Sequence, residues 1–317
     1  MISLTTDLQV FMLNELEFKR RVRYEKKINT LEEFVQFVQN AVKNKRFVYR
    51  GMNNRQYLCV SSFYRYYFTV HKPVVREIVY NEGENAAEML PDICAEDFLK
   101  KSFDIIDEFN SRLLQIGAID KELSFSDACS LAQHYELPTN LIDFTFDPAI
   151  ALFFACSGND DVDAVVFESD IWHPINVLNA HSQHGVNGWY KDPEKAHADI
   201  VRRLTSIDKT TGISLTTPEI HQSMLEHNER IKRQSGVFVY NAEIFPYDRV
   251  MYNFWDEPYC IPGRIVYVIN KALKPLVREH LESIGVTWEY LMPSDDAHKI
   301  KQAVKETKLQ FNIPERY

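Results

Sequence analysis

Leu131-Ala132-Gln133-His134-Tyr135-Glu136-Leu137-Pro138-Thr139-Asn140-Leu141-Ile142-Asp143-Phe144-Thr145-Phe146-Asp147-Pro148, followed by the apolar run Ala149 to Cys156, is the stretch that organises this chain. A helix from about Ser126 to Tyr135 is broken by Leu137-Pro138, Leu141 to Thr145 alternates as a strand, and Asp147-Pro148 opens a second helix. A carboxylate cap followed by Pro in the first turn is a strong helix start. The same eighteen residues place an amide, an imidazole, a carboxylate and a hydroxyl among apolar neighbours. Buried, each of these groups costs free energy unless it pairs with another or with a ligand, so their concentration points to a site.

Outward from this block, Thr30-Leu31-Glu32-Glu33 reads as a capping box for a helix ending near Asn44. Arg46 to Arg50 follows as a strand with Arg50 at its end and Gly51 turning the chain after it. Beyond the aromatic-rich segment Phe63 to Phe68, the acidic stretch Asn81 to Glu88 reads as a loop, and Ala95 to Gln115 as a helix. Ala164 to Glu168, Val237 to Tyr240 and Arg264 to Ile269 have strand character. Ala272 to Ile284 reads as a helix closed by Gly285, and Ser294 as the cap of a last amphipathic helix. Residues 169–235 form a polar insertion or lid carrying His173, His181, His184, His197, His221 and His227. With no internal repeat or linker, the economical architecture is one α+β domain over residues 1–317. Its core, a single mixed sheet, spans about 30–168 and 236–296, with helical decorations and the His-rich insertion.

A chain of 317 residues with 45% hydrophobic content builds an ordinary globular core. Its net charge of -9 argues against a duplex-wrapping nucleic-acid binder, although local nucleic-acid contacts stay open. Five scattered cysteines without a CxxC pair give neither a disulfide framework nor a zinc ribbon, and fit a reducing cytoplasm. No secretory signal is read at the start, and no apolar run reaches the roughly 20 residues of a membrane span.

Arg50 is the leading candidate, because a guanidinium beside a Gly can grip two phosphate oxygens in fork geometry; pairing with Asp143 inside the fold is the even alternative. Asp143 reads as a buried carboxylate needing Arg50, His134 or Thr145 as its partner. His134, with Gln133, suits proton transfer or ribose contact, or equally a backbone carbonyl. Arg65 adds a second positive contact or a structural one. Thr145 and the backbone at Gly51 supply neutral donors, and Tyr49 or Tyr135 a face for a base. The histidines of the insertion lack metal-ligand spacing, and no metal is assigned.

Phe47-Val48-Tyr49-Arg50-Gly51, Leu58 to Arg65 and the block from Gln133 to Thr145 resemble, in order, the three signature blocks of the FRG domain. The resemblance covers roughly Thr30 to Asp163, with weaker echoes at Asn228 to Phe238 and Leu291 to Asp296. Glu136 stands where that family usually has Gly, Asn140 where it often has Arg, and Phe144 where it often has Trp. The resemblance implies a bacterial or phage-linked conflict or defence setting.

The chain is more distantly similar to ADP-ribosyltransferases of the Arg-Ser-Glu type. Tyr49-Arg50-Gly51 is similar to their first motif and Asp143 to Ala155 to their second. Gln234 matches part of the third, with Gly236 where the catalytic Glu would stand. That similarity implies an ADP-ribosyltransferase-like sheet, with NAD as the ligand to try first. The catalytic set on this reading is Arg50, His134 and Asp143. The binding set is Tyr49, Gly51, Arg65, Gln133, Tyr135, Thr145 and Gln234. The alternatives are a module that binds a nucleotide, nucleic acid or protein partner without turnover, and a metal-dependent phosphoesterase built on Asp143 and His134.

Overall fold

The computed structural model describes residues 25–43, 47–73, 75–80, 86–91, 93–170, 229–241, 244, 246–247, 265–293, 297–315 and 317. The six histidines of the insertion and Ser294 lie outside the described residues. Six strands form one mixed sheet: β1 (Glu25–Ile28), β2 (Phe47–Met52), β5 (Leu141–Thr145), β6 (Ala164–Asp170), β7 (Gly236–Tyr240) and β8 (Ile265–Ile269). Their order is β1-β8-β6-β2-β5-β7, with only the β1–β8 pair parallel. β3 (Val75–Tyr80) and β4 (Ala86–Pro91) form a separate antiparallel pair. β4 begins inside the stretch read from sequence as a loop.

Helices cover one face of the sheet in two groups. Tyr49, Ala164, Val166 and Ile269 pack against α1 (Leu31–Val42), α5 (Pro148–Cys156) and α6 (Lys274–Ser283). Leu141, Phe238 and Tyr240 pack against α2 (Ser62–His71), α3 (Ala95–Gln115), α4 (Phe125–His134) and α7 (His298–Gln310). The residues that alternate with these, among them Val48, Ile142, Phe144, Val165 and Val237, make a third cluster on the opposite face with Cys59 and Tyr247. This is the period-2 pattern of a sheet buried on both sides.

The local signals act as their chemistry dictates. Thr30 and Glu33 close the capping box of α1, and the Asp147 side chain accepts from the Ala149 amide at the head of α5. At the end of α4, Leu137 N–H donates to the Ala132 carbonyl and Glu136 N–H to the Gln133 carbonyl, the two bonds of a Schellman motif. That motif needs a left-handed residue, and Glu136 has φ +61°. A glycine would hold this conformation without a Cβ penalty.

Two sequence readings are corrected here. β2 runs on to Met52, so Arg50 lies within the strand, and Gly51 pairs with Val166 rather than turning the chain. The glycine serves close approach: a Cβ there would stand 1.7 Å from the Ala151 carbonyl oxygen of α5. The segment Phe63 to Phe68 is the body of helix α2, capped by Ser61, whose hydroxyl accepts from the Tyr64 amide. Phe63, Tyr64, Tyr66, Tyr67 and Phe68 are all buried, while Ser62, Arg65 and Thr69, spaced i, i+3 and i+7, form the less buried polar stripe of the helix.

Candidate functional site

β2 and β5 meet at a single bridging pair, Tyr49 with Thr145, whereas β2 pairs with β6 over six positions. Beyond that pair the two strands splay. A cavity of about 350 Å³ fills the gap, lined by consecutive residues Tyr49 to Asn53 of β2 and its end and Asp143 to Thr145 of β5. In an intact sheet consecutive side chains face opposite sides, so one cavity touching all of them lies in the plane of the sheet. α2 sends Arg65 to it and α5 sends Ile150, Ala151 and Phe154, so it also sits where the two helical groups adjoin.

Arg50 spans the gap. Its Nη1 donates to the Asp143 carbonyl at 2.7 Å, replacing a ladder bond that β2 no longer provides. The same Nη1 is 3.9 Å from the Asp143 carboxylate, and Arg50 Nε is buried without an acceptor among the described residues. Asp143 was expected to be buried. Its side chain is 55% exposed and lines the cavity, because the splayed strands leave this position uncovered.

Gln133 is the hub behind Asp143. Thr139 Oγ1 accepts from the Leu141 amide at 3.1 Å, which leaves its proton to donate to Gln133 Oε1 at 2.6 Å. Ser62 Oγ donates to the same oxygen at 3.1 Å and accepts from the Thr139 amide at 3.0 Å. The Gln133 NH₂ therefore faces Asp143, donating to Oδ1 at 3.2 Å and Oδ2 at 3.1 Å. A carboxylate can only accept, so both ends of the amide agree on its orientation.

The cavity is cationic. Among the described residues, Arg50, Arg65 and Arg230 line it with a single carboxylate, that of Asp143. Burial, and next the neighbouring Arg50 charge, hold the Arg65 guanidinium below its usual pKa; Tyr317 and Asp143 oppose this. The Arg65 side chain has no hydrogen-bonded or ion-paired acceptor among the described residues. A desolvated guanidinium beside a like charge is an unfavourable arrangement in a free protein and a favourable one for an anion.

Of the residues selected from sequence, Tyr49, Arg50, Gly51, Arg65, Asp143, Thr145 and Gln234 line this cavity. Gln133, His134 and Tyr135 do not: Gln133 stands behind Asp143, and His134 packs edge-on against Tyr135 with centroids 4.7 Å apart. Thr145 Oγ1 donates to the Gln234 carbonyl at 2.7 Å, and the Gln234 amide donates to the Leu291 carbonyl at 3.0 Å. Both side chains thus fix the cavity wall. Asn140 turns away into the core, its amide donating to Ser102 Oγ at 2.8 Å. Gly236, the first residue of β7, pairs with Thr145, and a Cβ there would meet Ile231 at 3.3 Å.

The sequence reading missed Arg230, Ser62 and Thr139. Thr139 was within the quoted block but was not singled out, since its role depends on Ser62 and Gln133 meeting across 71 residues. Arg230 lies in the polar segment and carries no local mark. No group of three or more His, Cys, Asp or Glu that could hold a metal occurs among the described residues. Nor is any described helix long and apolar enough to cross a membrane.

Residues 45–164 match the FRG domain family, a span that contains β2, α2, α4, β5 and α5, from which all the cavity residues but Arg230 and Gln234 come. No curated protein and no solved structure matches the chain.

Proposed function

We propose that this protein, which carries an FRG domain, binds a phosphate-bearing nucleotide in the gap between β2 and β5. The observation that carries the reading is Arg65: a desolvated guanidinium, next to Arg50, that meets a cavity of about 350 Å³ without a carboxylate of its own. Phosphate oxygens would satisfy it through charge-assisted bonds, and the Phe154 ring offers apolar surface for a base, whereas Tyr49, expected from sequence to offer such a face, is fully buried. NAD and ADP-ribose are the first ligands to try. The setting that the FRG resemblance implies is bacterial or phage conflict.

Binding without turnover is favoured over ADP-ribosyl transfer by one observation. On the sequence resemblance Gly236 stands where the transferase Glu would be, and among the described residues Asp143 is the one carboxylate lining the cavity. An enzyme stabilising an oxocarbenium-like transition state depends on such a carboxylate. If Asp143 serves in its place, nicotinamide is released from NAD.

Calorimetry with NAD, ADP-ribose and AMP tests the binding. A ligand at a hundredfold excess over Kd stabilises the protein by about 2.7 kcal/mol. Arg65→Gln is expected to abolish binding while leaving the unliganded protein at least as stable, because it removes a half-buried charge that has no ion-paired carboxylate among the described residues. Absence of heat with all three ligands at millimolar concentration overturns the reading. Nicotinamide release that disappears in Arg50→Lys would establish turnover over binding alone.

A further inference from the structure

We infer that Asp143, held by Gln133, is the acceptor for a ribose hydroxyl and makes the cavity selective for ribonucleotides over deoxyribonucleotides; this rests on the nucleotide reading above. The anchoring is built from buried polar groups. Thr139 is fully buried, and its hydroxyl and that of Ser62 fix Gln133 Oε1, so Gln133 Nε2 reaches both oxygens of Asp143. Gln133 is a positioning residue that does not line the cavity, whereas Asp143 does.

The charge pattern defines what Asp143 can meet. A carboxylate has about four lone-pair sites. Gln133 engages one side of each oxygen, and Arg50 Nη1 is directed to the backbone carbonyl at 2.7 Å rather than to the carboxylate at 3.9 Å. Acceptor capacity therefore remains toward the cavity, where the side chain is 55% exposed. A phosphate against this carboxylate would be repelled. The matching ligand presents an anion to Arg65 and a neutral O–H donor to Asp143 within one cavity, and a ribose phosphate has both.

The test compares AMP with 2′-deoxy-AMP and 3′-deoxy-AMP by calorimetry on the full chain. At least one deoxy analogue is expected to bind roughly ten- to hundredfold more weakly than AMP, the effect of leaving a charged acceptor without its donor. In Asp143→Asn and in Gln133→Met that ratio is expected to fall below about twofold, the first by removing the charge and the second by releasing the carboxylate from its fixed orientation. Because each ratio is taken within one protein, a general loss of stability cancels. Equal binding of AMP and both analogues to the wild type overturns the inference and leaves nucleotide binding standing. So does a ribonucleotide preference that survives in Asp143→Asn. If AMP, NAD and ADP-ribose all fail to bind, both fall together.

Discussion

Replacing Gly51 by Ala is expected to cost about 3 kcal/mol or more, the upper end of what overpacking does. The added Cβ would stand 1.7 Å from the Ala151 carbonyl oxygen, 2.7 Å from its carbon and 2.7 Å from the Ala155 amide nitrogen. Carbon atoms pack at roughly 3.5 Å, so helix α5 would have to retreat by on the order of 1.5 Å. All three obstacles are backbone, and Ala151 and Ala155 are fully buried, so no side-chain rotation relieves the contact. Gly285 is the control: it has φ +86° and nothing within 4 Å of a built Cβ. Gly285→Ala is thus expected to cost only about 1 kcal/mol, from backbone strain alone. Urea unfolding followed by circular dichroism reads the difference. With a slope of about 3 kcal/mol per molar, the Gly51→Ala midpoint should fall by about 1 M and that of Gly285→Ala by about a third of that. A Gly51→Ala protein with a wild-type midpoint would refute the close packing of β2 on α5. Because α5 supplies Ile150, Ala151 and Phe154 to the cavity wall, the proposed nucleotide binding should weaken with it.

Glu136→Gly relieves a non-glycine residue at φ +61° in the Schellman motif and is expected to raise stability by about 1 kcal/mol, checked by the thermal midpoint; a lowered midpoint would contradict it. Glu168 is 8% exposed, and burial raises its pKa against smaller opposing effects of Tyr49, Lys26 and Tyr267. Its folded pKa lies above the unfolded one, so the native state holds the proton longer, and the stability linked to it is lost as pH rises through the folded pKa. The thermal midpoint of Glu168→Gln should therefore gain on the wild type as pH is raised from roughly 4 to 7. A gap that stays constant with pH would show that Glu168 titrates alike in both states.

The FRG match over residues 45–164, the caps at Thr30 and Asp147, and the elements Ala95–Gln115 and Leu141–Thr145 were legible from sequence because their signals are local. A hydroxyl next to an amide, a proline in a first turn and a run of alternating apolar residues act over a few positions. Arg50, Asp143 and Arg65 were likewise nameable, since charged and polar side chains in apolar company are conspicuous in any register. Their relationship was not. The exposure of Asp143 depends on β2 and β5 joining at one pair and then diverging, which is a property of two strands 93 residues apart. The helical form of the aromatic segment shows only once five of its aromatic side chains are seen buried behind the stripe Ser62, Arg65 and Thr69, and the role of Gly51 depends on a helix a hundred residues away. Gln133 was chosen from sequence as a ligand contact; only the fold brings Ser62 and Thr139 to its oxygen and turns it into the support for Asp143. Local chemistry fixes which elements form and which residues are expensive to bury, but the partner that offsets each expense is chosen by packing between distant segments.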